Sequence, residues 1–319
     1  MPSPDTPNEY PLELPHPDIS AYKEGNIGIP YCFTFEAAAP GPHVMISAVV
    51  HGNELCGAIA VDWLLRNKVT PQRGKLSLGF MNVAAYQSYT PANPNTSRFV
   101  DEDFNRLWTD EVLNSNRDSV ELRRAREVRP LIDQIDLLLD IHSMQHPAIA
   151  LMMAGPCAKG QTLARQVGTP ETIVTDAGHA AGRRMRDYRA FSDEQSARNA
   201  LLVECGQHWA ASSGELALDC ALRFLRVTGT VADDFANEMG RAPLPPTQSW
   251  KVNHVVTINS DKFTFTEPYS GGEVIAKAGT LLGHDGDQPV VTPHDDCMLV
   301  MPSRRLSKGQ TAVRLAGRI

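Results

Sequence analysis

The chain has 319 residues, of which 42% are hydrophobic and 21% charged. These are ordinary values for a folded protein; they exclude wholesale disorder and allow one large domain plus a smaller one. A formal net charge of −7 argues against a nucleic acid as partner, because phosphate backbones demand a net basic face.

The N-terminal stretch MPSPDTPNEYPLELPHPDI is polar and proline-rich. It lacks the basic and apolar regions of a secretory signal, and no stretch approaches the ~20 apolar residues of a membrane span. Six cysteines (Cys32, Cys56, Cys157, Cys205, Cys220 and Cys297) are scattered without a Cys-x-x-Cys pair. That spacing suits reduced thiols in a cytoplasmic protein better than a disulfide framework or a zinc knuckle.

In chain order, HVMISAVV (43–50), KLSLGFM (75–81), IDLLLDI (135–141), AIALMMA (148–154) and NALLVE (199–204) are continuous apolar runs. Runs of this kind predict strands covered on both faces. AIAVDWLLRN after Cys56, SVELRRAREVRPLIDQ after Asp118 and GELALDCALRFLRV after Ser213 carry helical spacing of apolar residues. Alternating strands and helices predict an α/β domain with a largely parallel sheet, whose ligand site lies beyond the carboxyl ends of the strands. The proline-rich break RAPLPPTQSW (241–250) separates residues 1–245 from residues 246–319. Beyond it, short segments punctuated by glycine, proline and Asp-Gly predict a small all-β domain, a barrel or sandwich.

The candidate chemistry collects at the predicted strand ends. The first run leads into His51-Gly52-Asn53-Glu54, the third into His142, and the fifth ends in Glu204. A lone histidine after a strand is ordinarily a loop residue, but four such residues on one sheet edge are not ordinary. Two histidines and a carboxylate make a catalytic zinc set with one position open for water. Asp140 could orient a ligand from behind. Between these lies Ser97-Arg98-Phe99-Val100-Asp101-Glu102-Asp103-Phe104-Asn105-Arg106; its arginines could bind a carboxylate or hold developing negative charge, although alone it would pass for a solvated charge run. The loop from Ala177 to Phe191, with Arg183, Arg184, Arg186 and Arg189, could bind a second substrate carboxylate or act as a lid.

HGNE, then R-x-x-x-D-x-D-F-N-R, then DIHS, then VECG, in that order from about Val44 to Gly206, resemble the succinylglutamate desuccinylase/aspartoacylase family of the zinc carboxypeptidase superfamily. The resemblance implies a zinc-carboxypeptidase-like, mostly parallel mixed sheet flanked by helices, plus a small C-terminal β domain that covers the cleft. It implies one zinc ion on His51, Glu54 and His142, and Glu204 as the base that activates water. It also implies Arg98 as the residue that polarises the scissile carbonyl, with Asn105 and Arg106 gripping the substrate's carboxylate. The expected reaction is hydrolysis of an N-acyl amino acid or a similar small amide; a carboxypeptidase or amidase acting on short peptides is the alternative. A homo-oligomer is compatible with the sequence. Asn82-Val83-Ala84-Ala85 and Cys205-Gly206-Gln207-His208 depart from the family pattern, and His146 and His208 read as structural. A lipoyl- or biotinyl-carrier role for the C-terminal segment is disfavoured, because the stretch from Cys297 to Met301 has no lysine.

Overall fold

A computed structural model describes residues 9–178, 181–239 and 244–319. Most of the proline-rich N-terminus just described is covered, but residues 1–8, 179–180 of the arginine loop and 241–243 of the proline-rich break lie outside the described residues. The strands are β1 (Cys32–Glu36), β2 (His43–Ala48), β3 (Lys75–Phe80), β4 (Leu137–Met144), β5 (Leu151–Met153), β6 (Thr172–Thr175), β7 (Asn199–Gln207), β8 (Gln248–Thr257), β9 (Phe263–Phe265), β10 (Val274–Ile275), β11 (Leu281–Asp285), β12 (Gln288–Val291), β13 (Cys297–Val300) and β14 (Thr311–Arg318). The α-helices are α1 (Leu55–Arg66), α2 (Val83–Gln87), α3 (Asp110–Leu113), α4 (Val120–Ile132), α5 (Ala158–Val167) and α6 (Ala211–Val227).

One mixed sheet runs β1-β3-β2-β4-β7-β5-β6-β8-β14-β13-β10. Its centre, β3-β2-β4-β7, is parallel, whereas β5 runs antiparallel to β7. Both faces are covered. Val44, Ile46 and Ala48 of β2 belong to the core built with Leu64, Leu163 and Phe224 of α1, α5 and α6. Met45, pointing the other way, joins Leu122 and Val128 of α4. This two-sided burial is why β2 shows no polar alternation. Among the described residues no helix is long and apolar enough to cross a membrane.

Beyond the proline-rich break, β8 pairs in parallel with β6, so β8, β14, β13 and β10 continue the central sheet. A separate antiparallel sheet, β12-β11-β9, completes the C-terminal unit around its own core, which includes Phe263, Leu282 and Leu299.

Two predicted strand ends shift. Pairing of β4 with β7 continues past His142↔Glu204 to Met144↔Gln207, with an irregularity between His142 and Met144. His142 and Glu204 are therefore direct neighbours inside the strands rather than residues just beyond or at their ends. An irregular step beside a site re-aims side chains without ending the sheet.

Candidate metal centre and its cleft

The chain leaves β2 through Val49, whose φ of 63° places a β-branched residue in the left-handed region. That conformation costs about 1–2 kcal/mol and turns His51 and Glu54 back toward the sheet. Gly52 serves this turn through space: a Cβ there would stand 2.2 Å from the Ala85 carbonyl carbon and 2.4 Å from the Ser97 oxygen.

His51, Glu54 and His142 are buried, and their ligand atoms lie within 4.8 Å of one another. The two rings are arranged alike. His51 turns Nδ1 toward Glu54 Oε1 at 2.7 Å and Nε2 toward Asp103 Oδ1 at 2.9 Å. His142 turns Nδ1 toward Glu54 Oε2 at 2.9 Å and Nε2 toward Asp140 Oδ2 at 2.9 Å. Asp140 is itself fixed by the Ser47 hydroxyl, which donates to Oδ1 at 2.6 Å. In the tautomer that donates each Nε2–H to its outer carboxylate, both Nδ1 lone pairs face the lone pairs of Glu54, an arrangement that would hold a cation between them. Glu54 Oε2 is buried with no aligned hydrogen bond, so an acceptor is left over for that cation.

The electrostatics agree. Burial opposes the charge on Glu54, but His51 and His142 outweigh it and hold the carboxyl well below its ordinary range. Burial likewise opposes charge on His142, and Asp140 and Glu54 override it, raising the ring well above the ordinary imidazole value. Glu204, beside His142, behaves oppositely. Burial pushes its carboxyl up to about 8, with Glu54 adding to the rise and His142 and Arg98 working against it. Its Oε2 is buried and has no hydrogen-bond partner.

Arg98 lies on the edge of His51, with Nη2 at 2.9 Å from Nε2 and donating to Asp103 Oδ2 at 3.1 Å. Its loop is fastened by the buried Glu121 at the start of α4, which accepts the backbone N–H groups of Val100, Asp101 and Glu102 and the Asn82 amide. Asp103 caps the turn Phe104–Arg106 by accepting from Asn105 N–H. Asn105 Oδ1 accepts from the backbone N–H of Met185 at 2.8 Å, tying this turn to the arginine loop. Arg106 donates to the Asn105 carbonyl and makes no ion pair within 4 Å among the described residues. His51, Glu54, His142, Arg98, Asn105 and Arg106 line one cleft of about 290 Å³ together with Glu204, with Asp103 and Asp140 behind its wall.

Within the arginine loop, Arg184 lines the cleft and is tied to Asp176 and Asp187. Arg186 is buried as a support, donating to Asp187 and to the carbonyl of Ala200, while Arg189 pairs on the surface with Asp110 and Asp133. His208 is buried against the Ser143 hydroxyl at 2.8 Å and pushed down to about 3 by burial. His146 meets the Tyr10 hydroxyl at 2.9 Å. Asn82 caps α2 by accepting from Ala85 N–H. Sequence reasoning missed Asp103 as the partner of His51, although it lies within the Arg98–Arg106 run. It also missed Arg305 and Arg314, which the C-terminal unit brings to the cleft.

The family model for the succinylglutamate desuccinylase/aspartoacylase catalytic domain matches residues 40–228, more than half of the chain and every candidate ligand. The chain belongs to this family. A succinylglutamate desuccinylase of Vibrio cholerae is 23% identical over 97% of this chain and 92% of its own length. A rat N-acyl-aromatic-L-amino acid amidohydrolase (carboxylate-forming) is 32% identical over a shorter stretch, 31% of this chain and 33% of its own. The crystal structure of a succinylglutamate desuccinylase from Vibrio parahaemolyticus shares the fold, with a TM-score of 0.69 at 16% identity, covering 91% of this chain and 86% of the other.

Proposed function

We propose that this family member is a zinc-dependent deacylase that hydrolyses the amide bond of an N-acyl amino acid. The observation that carries the reading is the matched pair of buried histidines, each held at Nε2 by a carboxylate and each turning Nδ1 to Glu54. Two histidines and one carboxylate with an open side are the donor set of catalytic zinc, and His51, Glu54 and His142 would hold one ion. Zinc there would supply a Lewis acid and acidify a water molecule.

The chain's own residues do the rest. Glu204 takes the water's proton at its unpartnered Oε2 as the amide carbonyl is attacked, then returns a proton to the departing nitrogen. A cation on His51, Glu54 and His142 would lower the Glu204 carboxyl from its metal-free value of about 8 and leave it free to accept that proton. Arg98 donates to the oxygen that gains negative charge, a contribution of about 10²–10³ in rate for a single donor. Asn105 and Arg106 grip the amino acid's carboxylate and fix the scissile bond, which converts binding into orientation. Residues 1–245 thus carry the ligands and the base, and residues 246–319 close the cleft. The relatives named as a desuccinylase and as an N-acyl amino acid amidohydrolase support a small amide substrate. The unbridged, buried cysteines suit a cytoplasmic enzyme.

Metal analysis of the purified protein, followed by a screen of N-acyl amino acids and C-terminal dipeptides with and without chelator, tests the reading. One zinc per chain and chelator-sensitive release of amine from N-acyl amino acids are expected. Metal-free protein with chelator-insensitive hydrolysis would overturn the metal assignment, and preference for dipeptides would overturn the substrate.

A further inference from the structure

Pro11, Pro15 and Pro17 fall within one short stretch. A segment that repeatedly lacks a backbone N–H forms neither helix nor inner strand and lies extended over a surface. The catalytic unit fastens this strap at several points. The backbone N–H groups of Glu13 and Leu14 donate to the Trp209 carbonyl at 3.0 and 3.2 Å, and Glu13 Oε2 accepts from the Ala211 N–H at the start of α6. The His16 ring stacks on Tyr86 and Tyr89, with centroids 4.1 and 4.9 Å apart. The Pro17 carbonyl accepts from the Tyr86 hydroxyl at 2.7 Å. These anchors deliver Tyr10, just ahead of them, to the mouth of the cleft.

Tyr10 touches both lips there. Its hydroxyl lies 2.9 Å from Nδ1 of His146, in the loop between β4 and β5, and Arg304, in the loop between β13 and β14, donates to it at 3.3 Å. A guanidinium only donates, so the Tyr10 oxygen accepts from Arg304 and has its own proton for His146. The ring suits that role: burial, with Arg304 and Arg305 adding to it, pushes His146 down to about 4, which leaves Nδ1 free to accept at neutral pH. One residue along, Arg305 donates to the Gln145 side-chain oxygen at 3.1 Å. Gln145, His146, Arg304 and Arg305 all line the cleft, and Arg305 feels the charges of Arg98 and Asp103.

The lips are joined unequally. Below, the β6–β8 and β8–β14 ladders hold the C-terminal unit to the central sheet. At the rim, the two crossing hydrogen bonds just named pair guanidiniums with neutral oxygens on incompletely buried residues. Bonds of that kind open at far smaller cost than a ladder.

We propose that Tyr10 is a positioning residue that latches the two lips of the cleft through His146 and Arg304, and so governs by size which N-acyl amino acids enter. A bulky substrate has to part the lips, whereas a small one passes beneath the latch. The choice of substrates rests on the deacylase reading above; the latch itself does not.

Amide hydrogen exchange of residues 301–310 is compared in wild type, Tyr10→Phe, Arg304→Met and the double variant. Zinc-loaded turnover of N-acetylalanine and N-octanoylalanine is measured on the same four proteins. Tyr10→Phe keeps the ring edge-on to His146 and removes only the hydroxyl. Exchange should quicken at least about threefold, as loss of a hydrogen bond of ordinary strength implies. The kcat/KM ratio of N-octanoylalanine to N-acetylalanine should rise by at least about threefold through KM, while kcat on N-acetylalanine stays within about twofold. Arg304→Met should act alike, and the double variant should add little to either, as two ends of one contact require. Unchanged exchange in Tyr10→Phe, or full additivity in the double variant, overturns the latch. An unchanged size ratio beside quickened exchange overturns its control over entry. The exchange cycle needs no turnover, so the latch stands or falls on it even if the deacylase reading fails.

Discussion

The two sides of the cleft are built on opposite imbalances. On the floor, formed by the turn after β2 and by β4 and β7, lone pairs outnumber protons: Glu54 faces two imidazole nitrogens, and Glu204 has an oxygen without a partner. On the wall formed by the arginine loop and β14, guanidiniums outnumber carboxylates, and the buried Nε of Arg314 has no hydrogen-bond partner, its Asp176 oxygen standing 3.7 Å away. Each side stores a cost that a well-folded scaffold would otherwise have removed. On the proposed reading a cation would complete the floor and an anion the wall.

The largest effect should come from breaking the floor. Glu54→Gln removes the central carboxylate and should abolish bound zinc and lower kcat/KM by more than about 10⁴, read by metal analysis and amine release. Next comes Glu204→Gln, which should keep zinc and lower kcat by about 10²–10⁴; near-wild-type turnover with zinc bound would remove Glu204 from the mechanism. Arg98→Met should cost about 10²–10³ in kcat with a smaller change in KM. Asp140→Asn leaves the ring of His142 less firmly oriented and should weaken zinc affinity about 10–100-fold in a competition titration.

How much of this was legible in the sequence follows from how local each feature is. The strands β2, β3, β4 and β7 announce themselves because burial on both faces leaves uninterrupted apolar runs. His51, His142 and Glu204 were legible as candidates because each sits at or near the end of such a run. β6, with only TIVT, is too short for a pattern, and α5 carries a glycine and a thin apolar stripe. Asp103 and Glu121 look like surface acids. Only the fold places Asp103 against the ring of His51 and seats Glu121 beneath three backbone N–H groups. Arg314 lies more than 100 residues beyond Glu204, in a segment whose neighbours give no hint of the cleft. Its meeting with Arg106 and Arg184 is a product of β8 joining β6 and carrying β14 alongside.

The smallest effect is on stability, and it separates floor from wall in the metal-free protein. Glu204 keeps its proton up to about 8 when folded, against an ordinary value of 4.5. Between those values the folded state binds more protons than the unfolded, so this group makes metal-free protein lose stability as pH rises through the window. Glu204→Gln should remove that loss and stabilise metal-free protein at pH 8 by about 1–3 kcal/mol relative to wild type, with little difference at pH 5, as seen in urea melts at the two pH values.

The central claim is that His51, Glu54 and His142 hold one zinc ion, and calorimetric titration of zinc into metal-free protein tests it most directly. Wild type should take up one equivalent, and Glu54→Gln, folded by circular dichroism, should take up none at the same concentrations. Absence of stoichiometric binding by wild type, or undiminished binding by Glu54→Gln, would contradict it.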